Sequence, residues 1–306
     1  MTFEKIILTG NLPPPVGGVT VYIRYFIQAC NMAMIPVDFF KLIDTLLFRN
    51  VNNILYVNSS NSLKRFLYVC VGRLFFKKVF VVKHGGLFDL NNVLVKSSLR
   101  LCHGVLCLNN LVQEQLNSIG KVNFLHTTVF SENSRFVQNE LIEKSLDTDK
   151  CTNLLLYINH SNVLFGEEVY GATFISSVID EIDFNYKLTV VDLSGDYESI
   201  FKRYDNVLYL SQNVDFKKLL SESDIYLRPT STDGMSVAVL EAGINRVKVL
   251  ASDVVDRPSF VKTYKFKSEV DFINKLKCLA NDDSLPAEPK LTSIEDILRF
   301  INNECN

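Results

Sequence analysis

Two carboxylates stand eight positions apart in the stretch RPTSTDGMSVAVLEAG, residues 228–243. Asp233 precedes a glycine, and Glu241 ends a run of small or apolar residues. If a helix begins near residue 234, then Gly234, Ala238 and Glu241 share one of its faces. The two small residues leave room for a ligand to approach the backbone, with a carboxylate one turn beyond.

A carboxylate at position 241 is expected to be nearly buried, so it needs hydrogen-bond donors. Two neighbouring hydroxyls of a sugar ring could supply them. The free N–H groups of Met235 and Ser236 at the expected helix start favour a negative group such as a diphosphate. Asp233 could bind sugar hydroxyls or could simply cap the helix, and spacing alone does not separate the two roles.

The elements that must position this stretch alternate between strand and helix along the whole chain of 306 residues. That alternation predicts parallel sheets covered by helices on both faces. A polar stretch, 131–150, interrupts the pattern, which then restarts. The expected fold class is α/β, with two tandem Rossmann-like domains and a cleft between them that binds the ligand. The expected domains are 1–145 and 150–285, followed by a C-terminal helical segment, 286–306.

Composition excludes several classes of protein. Hydrophobic residues make up 47% of the chain and charged residues 22%, which is typical of a globular protein. No apolar run is long enough to span a membrane, and the first residues, with Glu4, do not resemble a secretion signal. The 7 cysteines are scattered without a C-x-x-C pair, which indicates free thiols in a reducing cytosol. The 4 histidines are far apart, so no metal site is expected.

Charge is unevenly distributed. Residues 1–150 hold 16 Lys and Arg against 10 Asp and Glu, a balance of +6, whereas residues 151–306 hold 16 against 24, a balance of −8. Between 61 and 100, only Asp89 opposes the basic residues. This region is either a solvated face or a surface for an anionic partner. Nucleic acid is not the expected partner, because the chain is slightly acidic overall.

The segment NSLKRFLYVCVGRLFFKKVFVVK, residues 61–83, is both basic and strongly apolar. One interpretation is a buried helix followed by a core strand, with lysines at the exposed ends. The other is a peripheral contact with the anionic inner leaflet of a membrane, to which Lys and Arg side chains are attracted.

The stretch LRPTSTDGMSVAVLEAGINRVKVLAS, residues 227–252, resembles the donor-binding motif of the GT-B glycosyltransferases of family 4. In that motif, a strand ending in proline and a small hydroxyl residue precedes two acidic residues separated by seven others. The second acidic residue begins a Glu-Ala dipeptide, as Glu241 does here, and Asp233 replaces the first glutamate. The later ASDVVDRP, 251–258, resembles the next loop near the nucleotide-sugar.

Two N-terminal stretches resemble the same family. PPPVGGV resembles its glycine loop, with Gly17 and Gly18 lining the cleft. VVKHGG resembles the strand end that places a histidine near the donor sugar, which here is His84. Considered alone, His84 could equally be a structural residue at the end of a strand.

The resemblance implies a retaining, metal-independent glycosyltransferase without cofactor. It implies transfer of a sugar from a nucleotide-sugar donor to a glycan or lipid-diphosphate-linked acceptor, in the biosynthesis of a polysaccharide such as O-antigen or capsule. The first domain would bind the acceptor and the second the donor. His84, Asp233 and Glu241 would be the catalytic residues. The location implied is cytoplasmic, peripheral on the inner face of the cell membrane.

One departure from the family concerns the donor diphosphate. Family members carry an Arg and a Lys after the first strand of the second domain, but YINHSNVLFGEEVYG, residues 157–171, contains neither. Arg228 could replace them or could be a structural ion-pair partner, and Arg257 could replace them or be an exposed loop residue. The full set of expected donor-binding residues is Gly17, Gly18, His160, Arg228, Thr230, Gly234, Met235, Ser236 and Arg257.

Two other functions stay open. Sugar-nucleotide epimerases share the two-domain architecture and would interconvert the donor without an acceptor. A non-catalytic, glycosyltransferase-like binding subunit is favoured by the missing Arg and Lys pair.

Overall fold

A computed structural model of the chain describes residues 6–9, 18–30, 35–37, 54–84, 86–108, 110–121, 123–130, 151–159, 161–164, 166–212 and 214–303. The chain divides into two compact units. Unit 1 comprises Met1–Ser131 and Leu291–Asn306, and unit 2 comprises Glu132–Lys290. The predicted domain limits near 145 and 150 lie outside the described residues and stay a prediction.

Unit 1 contains a parallel six-stranded sheet in the order β2-β1-β3-β4-β5-β6. Its strands are β1 (Ile6–Thr9), β2 (Ile35–Val37), β3 (Ile54–Val57), β4 (Lys78–Lys83), β5 (Gly104–Cys107) and β6 (Asn123–Leu125). Its helices before the second unit are α1 (Gly18–Cys30), α2 (Ser62–Phe75), α3 (Val93–Leu101) and α4 (Asn110–Ser118).

The strands of unit 1 form where the sequence has short, continuous apolar runs. Every residue of β1, β3 and β5 is buried, as expected for parallel strands with helices on both faces. Helix α2 begins where the Asn61 side chain accepts the Lys64 N–H at 3.0 Å, which satisfies a backbone donor of the first turn. It buries Tyr68 and Val69 against the sheet.

A C-terminal helix, α10 (Ile294–Asn303), completes the core of unit 1. Ile297 and Ile301 are fully buried. The buried Lys78 donates from Nζ to the Ile301 carbonyl at 2.9 Å, and the Phe300 ring lies 5.9 Å from the Phe80 ring. A Cβ at Gly104 would lie 2.8 Å from the Phe80 ring, so glycine is needed where β5 passes this pair.

Unit 2 contains a second parallel six-stranded sheet, in the order β11-β10-β7-β12-β13-β14. Its strands are β7 (Thr152–Ile158), β10 (Tyr186–Asp192), β11 (Val207–Leu210), β12 (Ile225–Arg228), β13 (Lys248–Ser252) and β14 (Val261–Tyr264), with a small hairpin of β8 (Val163–Leu164) and β9 (Glu167–Glu168). Its helices are α5 (Ala172–Val178), α6 (Glu198–Phe201), α7 (Phe216–Ser221), α8 (Val237–Ile244) and α9 (Glu269–Asn281).

The residue pattern predicts a single helix over 166–182 and a strand over 37–42, and it indicates no strand at 261–264, but the structure differs in all three places. The segment 166–182 contains the second strand of the hairpin followed by the short α5. Gly171 at φ 69° separates them, because this left-handed conformation interrupts a helix. The Glu168 carboxylate then accepts the Ala172 N–H at 2.6 Å and so starts α5. Strand β14 was not predicted, and the strand predicted at 37–42 is found at Ile35–Val37, with 38–42 outside the described residues.

Each sheet has one point where the strand order reverses. In unit 1 it lies between β1 and β3, and in unit 2 between β7 and β12. Ligands of open α/β sheets bind outside the carboxyl ends of the strands at such a point. None of the helices in the described ranges is both long and apolar enough to cross a membrane.

Candidate functional site

The carboxyl edge of the unit 2 sheet carries the stretch that the sequence singled out. Strand β12 ends at Arg228, and a loop leads from it to α8. The Ser231 N–H donates to the Val169 carbonyl at 3.0 Å and so ties this loop to the chain after the hairpin. A Cβ at Gly171 would lie 2.2 Å from the Pro229 carbonyl oxygen. Only glycine therefore fits against this loop.

Asp233 lies in the same loop, between two arginines. Its carboxylate accepts hydrogen bonds from Arg228 Nε at 3.0 Å and Nη2 at 2.9 Å, the paired geometry that suits a guanidinium and a carboxylate. Arg257 Nη1 donates to it at 2.8 Å, and the Gly234 N–H at 2.9 Å. The Asp233 side chain is 7% exposed. It links the end of β12 to the loop after β13.

The ion pairs decide the charge state of this cluster. Burial alone would raise the pKa of Asp233, but Arg228 and Arg257 lower it to about 2. Burial alone would lower the pKa of Arg228, but the Asp233 carboxylate outweighs burial and raises it. Asp233 and Arg228 are therefore both charged at neutral pH, and the Asp233 carboxylate pairs with both arginines.

Arg257 is enclosed, with 2% of its side chain exposed. Besides Asp233, it donates to Thr230 Oγ1 at 3.3 Å and to the Ser252 carbonyl at 3.3 Å. Ser252 Oγ in turn donates to the Thr230 carbonyl at 2.6 Å. The alternative that Arg257 is an exposed loop residue is therefore wrong, because it joins the loops after β12 and β13.

Arg228 forms an ion pair, as one of the two sequence interpretations had it. Its guanidinium carbon also lies 5.4 Å from the centre of the Tyr170 ring, a cation–π contact. Its side chain is 13% exposed, so it retains an accessible face that Arg257 lacks. Tyr170 was not predicted, because nothing in the local sequence indicates a contact with a distant strand end.

Helix α8 begins later than the sequence predicted. Its N-cap is Ser236, whose Oγ accepts the Val239 N–H at 3.4 Å, so the expectation of a start near residue 234 is wrong. Gly234 and Met235 lie in the preceding loop. The first N–H groups without an intrahelical acceptor are those of Val237 and Ala238, because the first turn of a helix leaves its donors unpaired.

Glu241 is an exception among the side chains of α8. The other residues of this helix are Val, Ala, Leu, Gly and Ile, and Glu241 is buried with them at 7% exposed. Burial raises the pKa of Tyr157, near the end of β7, to about 12, and the Glu241 carboxylate contributes to that shift. Glu241 therefore acts on the end of β7 across the point where the strand order reverses.

The carboxyl edge of the unit 1 sheet carries His84, directly after β4. Its Nε2 pairs with Oδ1 of Asn58, which follows β3. Asn58 donates its own backbone N–H to Thr9 Oγ1 at the end of β1, at 2.9 Å. The Tyr22 ring from α1 lies 4.6 Å from the His84 ring at an interplanar angle of 78°. These contacts place His84 at the reversal point of the first sheet.

His84 is neutral at physiological pH. Burial, then His126, then Lys83 lower the pKa of His84 to about 3. Since Asn58 Oδ1 is an acceptor, the ring proton lies on Nε2, and Nδ1 is left as an acceptor. A neutral imidazole with a free lone pair can accept a hydrogen bond from a hydroxyl of a ligand, which an imidazolium cannot.

Three predicted site residues remain, two glycines and one histidine. Gly18 is exposed as the first residue of α1, with nothing within 4 Å of the position a Cβ would occupy. Gly17 and His160 lie outside the described residues, so their placement stays a prediction. Asn58 is the site residue that the sequence analysis missed, although it stands next to a strand end as His84 does.

Solved structures share this architecture. HepE from Anabaena, in complex with UDP and glucose, matches with a TM-score of 0.61 at 11% identity, over 91% of this chain and 90% of that one. Sucrose-phosphate synthase from Thermosynechococcus elongatus matches with a TM-score of 0.67 at 11% identity, over 91% and 90%. WaaG, a glycosyltransferase involved in lipopolysaccharide biosynthesis, matches with a TM-score of 0.56 at 11% identity, over 90% of each chain.

The chain has the GT-B fold. At these identities the likeness is one of fold, and the sequence itself gives no match to a protein-family model or to a curated protein. Within this GT-B fold, Asp233 and Glu241 follow the strand at which the order of the second sheet reverses. His84 follows a strand at the corresponding edge of the first sheet.

Proposed function

We propose that the chain is a retaining, metal-independent glycosyltransferase that transfers a sugar from a nucleotide-sugar donor to a glycan or lipid-linked acceptor in polysaccharide biosynthesis. The observation that carries the proposal is the buried Glu241 carboxylate in a GT-B fold, on the helix that follows the reversal-point strand. Carboxylates bind hydroxyl groups through charge-assisted hydrogen bonds, so two hydroxyls of a ribose are suitable ligands for Glu241.

The diphosphate of the donor is assigned to Arg228 and the start of α8. Arg228 is the more accessible of the two arginines on Asp233, at 13% against 2%, so a phosphate oxygen can reach its guanidinium. The unpaired N–H groups of Val237 and Ala238 add the positive end of the helix dipole. His160, in the predicted position after β7, is a further candidate for this role.

Asp233 has a positioning role in this proposal. Its carboxylate oxygens bind Arg228, Arg257 and the Gly234 N–H, which fixes the loop between β12 and α8. The transferred sugar then contacts the loop backbone of unit 2. In unit 1, His84 accepts a hydrogen bond at Nδ1 from a hydroxyl of a ligand. Catalysis rests on orientation and on stabilisation of the leaving diphosphate.

The experiment is a thermal-shift and calorimetric screen of the chain against UDP, ADP and GDP and their sugar conjugates. A nucleotide that binds the folded state raises the melting temperature by mass action. Glu241→Gln keeps the shape of the side chain but removes its charge. We expect it to weaken nucleotide affinity about tenfold or more, the effect of losing a hydrogen bond to a charged group.

Glu222→Gln is the matched control, because Glu222 is exposed on the same unit and pairs only with Lys218 at 4.0 Å. It should bind nucleotide as the wild type does. With the donor identified, product analysis separates transfer to an acceptor from interconversion of the donor sugar. Equal nucleotide affinity in Glu241→Gln and the wild type would show that the assignment of Glu241 is wrong.

A second candidate function is a non-catalytic binding subunit. The observation that favours it is the pairing of Asp233 with both arginines, since their charge is already partly neutralised before a diphosphate arrives. The same screen decides, because such a subunit would bind none of the nucleotides while remaining folded.

We also propose that unit 1 associates with an anionic membrane surface through α2. Leu63, Leu67 and Leu74 are exposed and lie along one stripe of this helix. Exposed Lys64 and Arg73 flank the stripe on either side, and each would contribute about 1 kcal/mol at an anionic leaflet. The interpretation as a buried helix and a core strand holds for β4 and for one face of α2, whereas the opposite face of α2 is exposed.

Co-sedimentation with vesicles tests this surface. We expect binding to vesicles that contain anionic lipid at low salt, and release as salt screens the basic side chains. Binding that is equal on neutral and anionic vesicles would contradict the electrostatic part of the proposal, and no binding to either would contradict all of it.

A further inference from the structure

Arg65, which is buried, and Lys83, which is half-buried, form no ion pair with an acidic residue in the part of the chain that the structure describes. Arg65 comes from α2 and Lys83 is the last residue of β4, so both stand at the carboxyl edge of the unit 1 sheet. They share this edge with Asn58, which follows β3. Each of the three side chains presents an N–H donor, and the hydrogen bonds that the structure gives them leave part of that donor capacity unused.

Arg65 is 3% exposed. Its Nε donates to Ser98 Oγ at 3.3 Å and its Nη1 to the Ser59 carbonyl at 3.4 Å. Both acceptors are neutral, and no carboxylate among the described residues forms an ion pair with Arg65. The Nη2 group makes no hydrogen bond within that part of the chain. The described residues therefore fix the direction of the guanidinium but do not neutralise it.

Lys83 approaches the same point from the sheet. Its Nζ lies 5.0 Å from the centre of the Phe88 ring, and the Arg65 guanidinium carbon lies 5.2 Å from that centre. Gln115 holds Phe88 in place, since it accepts the Phe88 N–H at 2.8 Å and donates to its carbonyl at 2.7 Å. Within the described ranges, Lys83 Nζ has no hydrogen-bond acceptor. Because Lys83 is half-buried, solvent and ligands can reach it.

The pKa shifts of the two cations have the direction expected for charges without a counterion among the described residues. Burial lowers the pKa of Arg65. Burial, and then the charge of Arg65, lower the pKa of Lys83. A buried charge costs stability unless it is paired, and the positive charge of Arg65 adds to this cost for Lys83. A bound anion would remove this cost for both side chains.

Asn58 adds a neutral donor at the reversal point. It is 8% exposed, its Oδ1 is used by His84, and its Nδ2 has no hydrogen-bond partner. The next residue, Ser59, supplies the carbonyl that binds Arg65. The unused amide donor thus belongs to the residue just before the carbonyl that binds Arg65, where the chain leaves β3.

We propose that Asn58, Arg65 and Lys83 form a binding site for a phosphate group of the acceptor. A guanidinium and an ammonium together match the charge of a phosphate, and their N–H groups match its several oxygens. The position at the strand-order reversal is where such sheets bind ligands. The assignment of the phosphate to the acceptor rests on the proposed glycosyltransferase function, whereas the anion site does not.

The experiment measures binding of inorganic phosphate and of UDP, separately and at constant ionic strength, by calorimetry and thermal shift. Lys83→Met removes one cation and breaks no hydrogen bond that the structure gives to Nζ. Lys96→Met is the matched control, because Lys96 is exposed on α3 of the same unit. We expect Lys83→Met to weaken phosphate binding about tenfold, as loss of a charge-assisted contact does. Lys96→Met should bind as the wild type does.

The melting temperature without ligand is the second measurement. If Lys83 only supported the fold, its replacement would lower the melting temperature. If Lys83 binds a ligand, the melting temperature of Lys83→Met should be unchanged or higher, because repulsion with Arg65 is relieved. Glucose 1-phosphate and a short-chain alkyl phosphate then separate the two sources of phosphate. Tighter binding of the first indicates a glycan phosphate, and of the second a lipid phosphate.

Three results would overturn the proposal. Absence of phosphate binding to the wild type, or equal binding to Lys83→Met and the wild type, removes the anion site. Loss of UDP binding in Lys83→Met reassigns the cations to the donor and removes the acceptor assignment. A wild type that binds phosphate but no nucleotide contradicts the proposed function instead and leaves the anion site in place.

Discussion

The two carboxyl edges of the molecule treat buried charge in opposite ways. At the edge of unit 2, Asp233 pairs with Arg228 and Arg257, so the charges are matched within the chain. At the edge of unit 1, Arg65 and Lys83 both lie beside the Phe88 ring. No carboxylate among the described residues forms an ion pair with either of them. The first arrangement fixes the shape of a loop before any ligand binds. The second leaves an electrostatic cost that a ligand can remove.

This difference concerns how each edge is stabilised. A buried ion pair contributes little net stability, yet removing one partner is strongly destabilising, because the other charge remains. Where no partner exists, removing the charge should cost almost nothing. Substitutions of one charged side chain at each edge therefore test whether the contrast is real.

The largest effect is expected for Asp233→Asn. It would leave Arg228 and Arg257 buried without a counterion, so we expect a loss of about 3–5 kcal/mol in the free energy of unfolding of unit 2. Urea-induced unfolding measures this loss. Asp256→Asn, an exposed carboxylate near Arg257 in the sequence, is the control and should change stability by less than about 0.5 kcal/mol. A similarly small loss in Asp233→Asn would remove the contrast between the edges.

An intermediate effect is expected from pH. The pKa values of His84 and His126 are lowered to about 3 and about 4, chiefly by burial, from 6.5. Below pH 6.5 the unfolded chain gains protons that the folded chain does not, so unit 1 should lose about 1 kcal/mol per pH unit for each histidine. His103, whose pKa is lowered to about 4, chiefly by burial, adds to this loss.

Asp233 contributes to the pH dependence in a lower pH range than the histidines. Its pKa, lowered to about 2 from 3.8, supplies stability above pH 3.8 that is lost only as the pH falls further. Unit 1 should therefore weaken before this cluster does when the pH falls from 6.5 towards 4. Unfolding free energies across this range measure the slope, and His84→Gln should reduce it. An unchanged slope in this variant would show that His84 titrates normally.

The smallest effect is expected for Lys83→Met without ligand. The variant loses a cation–π contact of about 0.5–1 kcal/mol but also the repulsion from Arg65 and the cost of a half-buried charge. We expect the free energy of unfolding to fall by no more than about 0.5 kcal/mol, or to rise. A loss as large as that of Asp233→Asn would mean that Lys83 has a partner essential to the fold.

The sequence predicted the parallel sheets well, because their strands are continuous apolar runs between helical stretches. It also predicted burial of Glu241, since seven apolar or small side chains surround it in α8. The start of α8 was wrong by three residues, because Ser236 caps the helix more effectively than the glycine at 234 begins it. Which of these two residues starts the helix is visible only in the backbone conformation.

Long-range pairing was beyond the sequence. Arg257 reaches Asp233 only because β12 and β13 are neighbouring strands in register, and no local pattern contains that information. The basic residues of 61–83 raised the alternatives of a covered helix and a membrane surface. The structure instead divides them, with Arg65 buried under Ser98 and Lys64 exposed. Neither interpretation separated residues that stand side by side in the chain.

The position of α10 has a consequence for biosynthesis. Unit 2 is an insertion in the chain of unit 1, since residues from Leu291 onward return to the first sheet. The ribosome therefore synthesises all of unit 2 before it makes Phe300 and Ile301, which close the core over Phe80 and Lys78. The first sheet stays incompletely covered until then, so a chain that terminates soon after residue 290 would contain all of unit 2 but would lack the helix that completes the core of unit 1.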